Sequence, residues 1–297
     1  MWLYAITERS SRVVGKCDST FRGNLIGKMN TIMISGAPSR CDNCQCGGAA
    51  TYLAFSADSM RLDQDINNGN IGDPQVSFST VQRTIEYYRQ YTLAQDSRTD
   101  SLSIYPDLDN LLVGNSESIS GLTDDQRRIM YSHWIGAGAN LILGSDMTNL
   151  DDLGLNILQS DRWNWLADTI TSKYPMRSLN GRDDPSQGQQ LQLWIAGPDD
   201  YGRALIVWVN YGQSALQLYS EPYYDGVVAS TWSNDAIKTN GLTASCYTAA
   251  NLWNPSDEVN LKNFSSLQTR LDDEKVLVLW LTPNELAIEC GVAFAEQ

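Results

Sequence analysis

The chain has 297 residues, 42% of them hydrophobic and nine of them Trp, with a formal charge of −14 and a pI near 4.4. Such a composition excludes an intrinsically disordered chain and is large enough to bury one large or two ordinary cores. The acidic surface argues against nucleic acid and anionic membrane as partners and suits neutral ligands. No stretch reaches the roughly 18 apolar residues of a membrane helix. The opening "MWLYAITERSSRVVGK" lacks the basic lead and the apolar length of an export signal, so none is read here.

Residues 1–50 show neither a helical nor a strand period, apart from "TIMISGAP", a short buried strand that stops at Gly-Ala-Pro. Three of the six cysteines, Cys41, Cys44 and Cys46, fall in "RCDNCQCGG"; the others are Cys17, Cys246 and Cys290. A tetrahedral metal site needs four ligands, and no second CxxC or HxxxH follows, so thiols or a disulfide are the expectation and no metal or cofactor is.

From Ser56 the pattern becomes regular. "SMRLDQDI" reads as a strand, and "STVQRTIEYYRQYTLAQ" as an amphipathic helix with Val81, Ile85 and Tyr88 on one face. "LSIYPDLDNLLVGN" and "ANLILGSDM" read as further apolar strands, each with an acidic C-terminal end. Between them, Thr123-Asp-Asp-Gln126 is a capping box that opens the helix "DDQRRIMYSHWIGAGA". "LDDLGLNILQ" and "RWNWLADTITSKY" are helical. Strand and helix alternate, with Asp at strand ends, as in a parallel (β/α)8 barrel, whose chemistry sits at the C-terminal ends of its strands.

After Pro175 the pattern changes to short strands, "QLQLWIAG", "RALIVWVNYG", "SALQLYS", "VVASTW", "ASCYTAANLW" and "KVLVLWLTP", separated by turn formers. The expected division is an ill-defined segment over 1–50, half of a barrel domain over 51–175 and an antiparallel β-sandwich over 185–284.

Two carboxylates at barrel strand tips suit glycoside hydrolysis, one protonating the leaving oxygen and the other attacking the anomeric carbon or activating water. Asp65 is the candidate acid. Arg61, four residues upstream, shares the face of Asp63 and Asp65 in an extended strand and could bond a sugar hydroxyl or pair with a carboxylate. Spacing alone also allows an exposed turn with a surface ion pair. Asp107 and Asp109 share a face as i and i+2, or form a loop that caps a helix; Asp146 reads as the N-cap of the next helix. His133, the only histidine, reads as a packed side chain, which argues against Ser-His-Asp and Cys-His catalysis. "GAGAN" is too short for a phosphate loop and lacks its Lys. Asn263-Phe-Ser265 is a glycosylation sequon, meaningful only in an exported chain.

Taken together, from about Ala57 to Pro283, the segments resemble glycoside hydrolase family 27, the α-galactosidases, and most of all its filamentous-fungal branch. "DSMRLDQDI" is similar to the family's sixth-strand motif, an Arg followed four residues later by the acid/base Asp. "YPDLDNLLVGN" is similar to the seventh-strand motif Trp-Asn-Asp-Pro-Asp-Met-Leu with its Gly-Asn. "HWIGAGANLILGSDM" resembles the eighth, and "LWNPSDE" and "VLVLWLTP" resemble the end of the C-terminal sandwich. The resemblance implies that Asp65 is the general acid/base, Arg61 contacts galactose, Asp109 lines the sugar pocket and Asp107 supports it. It implies retaining hydrolysis of terminal α-galactose, no cofactor, galactosides as partners and an extracellular setting.

The chain also departs from the family pattern. The nucleophile belongs to a fourth-strand Lys-Tyr-Asp-Asn-Cys motif, and Asp42 in "RCDNC" holds the matching place. Only 23 residues separate Asp42 from Asp65, too few for two βα units, and "TIMIS" precedes it where a fifth strand would follow. The first three strands have no counterpart. The expectation is therefore strands five to eight of a barrel plus its sandwich, truncated at the N-terminus. The alternative is a non-catalytic carbohydrate-binding or inactive homologue without the nucleophile.

Overall fold

The computed structural model describes residues 31–33, 59–94 except 69 and 71, 105–178, 191–212, 227–231, 241–254 except 245, 258–262 and 268–284. Asp42, the CxxCxC cluster, the "SALQLYS" strand and the sequon lie outside them. Three short strands, β1 (Thr31–Met33), β2 (Ser59–Arg61) and β3 (Tyr105–Asp107), form a parallel sheet in chain order. The register places Met33 beside Arg61 and Arg61 beside Asp107, so the strands end level. "SMRLDQDI" was expected to be strand-like, yet the strand stops at Arg61, because after one more ladder bond at Leu62 the chain is held by side-chain bonds to Asp63.

"ANLILGSDM" differs more. It meets the 105–111 segment through a single parallel bridge, Leu143 to Leu111, and Leu141 and Ile142 are 47% and 43% exposed. An apolar run forms a buried strand where both of its faces are covered, and among the described residues nothing covers these two.

The helices follow the sequence more closely. α1 (Phe78–Ala94) turns Val81, Ile85 and Tyr88 into the core, spaced i, i+4, i+7. α2 (Glu117–Ser120) is one turn that closes on Gly121, whose φ of +84° and whose contact with the Val76 carbonyl both require glycine. α3 (Asp124–Gly136) begins with the capping box: the Thr123 hydroxyl accepts from the Gln126 N–H at 3.3 Å, and the Gln126 side chain accepts from the Thr123 N–H at 3.0 Å. α4 (Asp152–Leu158) and α5 (Asp161–Leu166) follow, and a π-turn over Ala167–Thr171 ends the helical part.

The second half is antiparallel. β4 (Arg177–Ser178), β5 (Leu191–Ala196), β6 (Ala204–Asn210), β8 (Cys246–Asn251), β9 (Glu258–Lys262) and β11 (Lys275–Pro283) make a six-stranded sheet, in the order β4-β5-β6-β11-β8-β9. β7 (Val227–Thr231) and β10 (Gln268–Asp272) pair separately. β4, β9 and β10 were not expected from sequence; β4 and β10 carry no clear alternation, whereas β9, EVNLK, alternates over only five residues. Cys246 is disulfide-bonded.

Alternation explains why β6 is buried along its whole length. Leu205, Val207 and Val209 join the core shared with the helices, whereas Ala204, Ile206 and Trp208 join a second core with Leu271 of β10. The helical half and the sheet thus share one core. Tyr88 stacks on Trp194 at 5.6 Å, and Gln82 Nε2 donates to the Tyr211 carbonyl at 2.8 Å. His133 is fully buried there. Its Nδ1 lies 2.9 Å from the Ile129 carbonyl, so Nδ1–H donates, and Nε2 accepts from the Tyr211 hydroxyl at 2.7 Å. The packed histidine expected from sequence is what the structure has. Among the described residues no helix is long and apolar enough to cross a membrane.

Candidate active site

β2 and β3 bring Arg61 and Asp107 side by side at their C-terminal ends, and the Leu62 N–H extends the ladder to the Asp107 carbonyl at 3.1 Å. The chain then turns. Asp63 faces away from Arg61: its carboxylate accepts from Arg83 Nε and Thr84 Oγ1, each at 2.8 Å, and from the Gln64 N–H. The i, i+2, i+4 face of an extended strand is therefore split. Asp63 is 7% exposed and ties this loop to α1, while Asp65 returns to Arg61, with Nη2 to Oδ1 at 3.1 Å. The Asp65 side chain is 77% exposed.

Asp109 completes the group. Its φ of +71° is unusual for a residue other than glycine, and it is held through its N–H, its carbonyl and one carboxylate oxygen. Its N–H donates to Asp107 Oδ1 at 2.9 Å, and its carbonyl accepts from Trp134 Nε1 at 3.0 Å. Its carboxylate accepts from the Ile66 N–H at 2.9 Å and is ion-paired with Arg61. Arg61, Asp107 and Asp109 are each under a tenth exposed. Asp107 neither shares a free face with Asp109 nor caps a helix; it fixes the turn that carries Asp109.

Burial pushes the Asp107 carboxyl above the usual carboxylate range. The Asp109 N–H and the Arg61 charge pull it down, and the Asp109 charge adds to the rise. Arg61 Nε–H is buried and makes no hydrogen bond among the described residues. A buried donor of that kind can serve a ligand oxygen. The cluster therefore offers one guanidinium, two buried carboxyls and one carboxylate open to solvent.

Asp146 is not the N-cap of the next helix. That place belongs to Asp151, whose carboxylate accepts from the Gly154 N–H at 2.7 Å and grips Arg127 through both oxygens at 2.8 Å. Asp146 instead bonds the Thr148 N–H and hydroxyl and the Asn149 amide within its own loop, and these bonds hold its carboxyl below the usual range. Buried Asn115 holds that loop against the one after β3, since its amide donates to the Asp146 and Asn149 carbonyls at 2.8 Å. Among the described residues no group of three or more His, Cys, Asp or Glu is arranged to hold a metal ion.

The sequence reading missed Arg83, Thr84 and Trp134 as supports of this cluster. They lie 20 or more residues from the groups they hold, and no local pattern announces such pairings.

No protein-family model matches the chain. It is 37% identical to α-galactosidase 3 of Hypocrea jecorina over 197 residues, which are 66% of this chain and 31% of that one. The chain spans about a third of the length of the curated relatives it matches. Its fold is similar to that of a glycoside hydrolase family 27 β-L-arabinopyranosidase from Geobacillus stearothermophilus, with a TM-score of 0.59 at 17% identity over 86% of this chain and 50% of that one. It is also similar to α-galactosidase I from Mortierella vinacea, with a TM-score of 0.53 at 18% identity over 77% and 54% of the two chains.

Proposed function

We infer that this chain, a relative of the family 27 α-galactosidases, carries the acid/base side of a retaining glycosidase site for terminal α-galactosides. The observation that carries this reading is the Arg61–Asp65–Asp109 cluster: an open carboxylate beside a buried guanidinium at the ends of two neighbouring parallel strands. In this reading β1, β2 and β3 are strands five to seven of a barrel, the 140–144 segment, with its single bridge, holds the place of the eighth, and the antiparallel sheets form its β-sandwich. The protein acts outside the cell on galactose-containing oligosaccharides.

Asp65 first gives a proton to the leaving glycosidic oxygen and later takes one from water. Its exposure leaves room for a leaving group of varied size. Arg61 meets a sugar hydroxyl through its buried donor, and Asp109 accepts a second hydroxyl while its pair with Arg61 keeps both in place. Asp107 and Trp134 hold the strained backbone of Asp109. The reaction requires a second carboxylate as nucleophile, and Asp42 is the candidate.

The test is hydrolysis of a chromogenic α-galactoside by the 297-residue chain, with Asp65→Asn and Asp42→Asn beside it. We expect turnover with retained configuration, lowered about 10²–10⁴-fold by Asp65→Asn. A folded chain with no turnover would overturn catalysis and favour a carbohydrate-binding homologue. Turnover untouched by Asp42→Asn would place the nucleophile elsewhere.

A further inference from the structure

We propose that the groove between α5 and the β8–β11 pair is a second carbohydrate site, which takes a neutral oligosaccharide and is independent of the chemistry at Asp65. The groove arises from strand alternation. Thr248 lies opposite Thr282 and Ala250 opposite Trp280. The residues between them, Ala249 and Leu281, turn into the second core, so these four face the helical side. α5 has only six residues and covers that face incompletely. What remains is a groove of about 470 Å³, within the roughly 300–1,000 Å³ range of small-molecule sites.

Its lining suits a sugar. Trp165, 40% exposed, meets Trp280 edge to face at 5.4 Å, and both rings line the groove. The negative face of an indole attracts the polarised C–H groups on one side of a pyranose ring. Hydroxyls from Thr248 and Thr282 and the charged groups of Asp161 and Arg162 border the same space, within reach of sugar hydroxyls. Ala250, the small residue opposite Trp280, leaves the floor open.

The charges indicate a neutral ligand. Asp161 and Arg162 offset each other. Arg203 is held by Asp199, with Nε to Oδ2 at 2.8 Å. Its guanidinium also lies over Trp165 at 5.5 Å, over Trp280 at 5.8 Å and over Tyr201 at 4.9 Å. The guanidinium thus ties the two perpendicular indoles to Tyr201, which is 76% exposed. Aromatic rings held beside a mostly apolar groove that also includes Leu166 and Leu252 offer a ligand a surface that loses little entropy on binding.

The test is affinity electrophoresis of the full chain through gels holding galactose-substituted mannan, xylan or a mixed-linkage glucan, with Trp165→Ala, Ala250→Leu and Asp65→Asn run alongside. At least one polysaccharide should retard the wild type and Asp65→Asn equally. Both groove variants should lose about tenfold or more in affinity, one by removing an indole and the other by filling the floor. Retardation undiminished in both groove variants, or absent with all three polymers, would overturn the proposal. Because the gel reads binding and not turnover, its result stands apart from the hydrolysis assay.

Discussion

Arg61 and Asp109 are ion-paired across the boundary between β2 and the turn after β3, with both side chains 9% exposed. Asp109 reaches that position only because its backbone is left-handed, and the Asp107 carboxylate and the Trp134 indole hold it so. Removing Asp109 leaves buried Arg61 with only the exposed Asp65 as an ion-pair partner among the described residues and takes the acceptor from the Ile66 N–H. Asp109→Ala should cost about 2–3 kcal/mol, read as a lower urea midpoint with an unchanged slope. A loss under about 1 kcal/mol would show that Asp65 and solvent compensate Arg61.

Asp65 should behave in the opposite way. Its bond to Arg61 is an i, i+4 pair with one partner open to water, and such pairs contribute little. Asp65→Asn should shift stability by less than about 0.5 kcal/mol while it removes the proton donor. A large loss of stability in thermal melts would mean that the residue is structural.

His133 sets an acid limit. Burial, opposed in part by the Ile129 carbonyl, brings its pKa down to about 4 from 6.5. The depressed value means that the folded state favours neutral imidazole. Its contribution is fully present above pH 6.5 and is lost as pH falls towards 4, where the unfolded chain takes up a proton that the folded chain refuses. The loss amounts to about 3 kcal/mol. Asp107 titrates in the other sense: with its folded pKa raised, its effect favours folding at low pH and fades as pH rises. His133→Gln should flatten the fall in urea midpoint between pH 6.5 and 4. An unchanged slope would assign it to the carboxylates.

Asp151 joins two structural duties, capping α4 and pairing with Arg127, which is 1% exposed. The Arg127 bonds hold the Asp151 carboxyl below the usual range, so this stabilisation is present above the ordinary Asp pKa and is lost as pH falls below it. Asp151→Ala should cost about 2–3 kcal/mol, more than the roughly 1 kcal/mol of a cap alone because it removes two charge-assisted bonds, although Asp124 Oδ1 still accepts from Arg127 Nη2 at 2.6 Å, as chemical denaturation would show. A loss near 1 kcal/mol would leave the cap as its only role.

Features that depend on near neighbours could be read from the chain by itself. The capping box of α3, the apolar stripe of α1 and the alternation of β5, β6, β8 and β11 depend on residues within a few positions of one another, so the sequence determined them directly. It also placed Arg61 and Asp65 close together, because four residues separate them. Contacts between distant segments were settled by the tertiary structure alone. "ANLILGSDM" has a strand's composition but one bridge, because nothing among the described residues covers Leu141 and Ile142. Asp63 and Asp65, equivalent by spacing, are separated because Arg83 and Thr84 of α1 take the first and leave the second to Arg61. Asp109 meets Ile66, 43 residues away, through a backbone conformation that only its surroundings make tolerable. Local pattern fixes which elements form; packing between distant segments decides which carboxylate is buried, which is paired and which is left open to solvent.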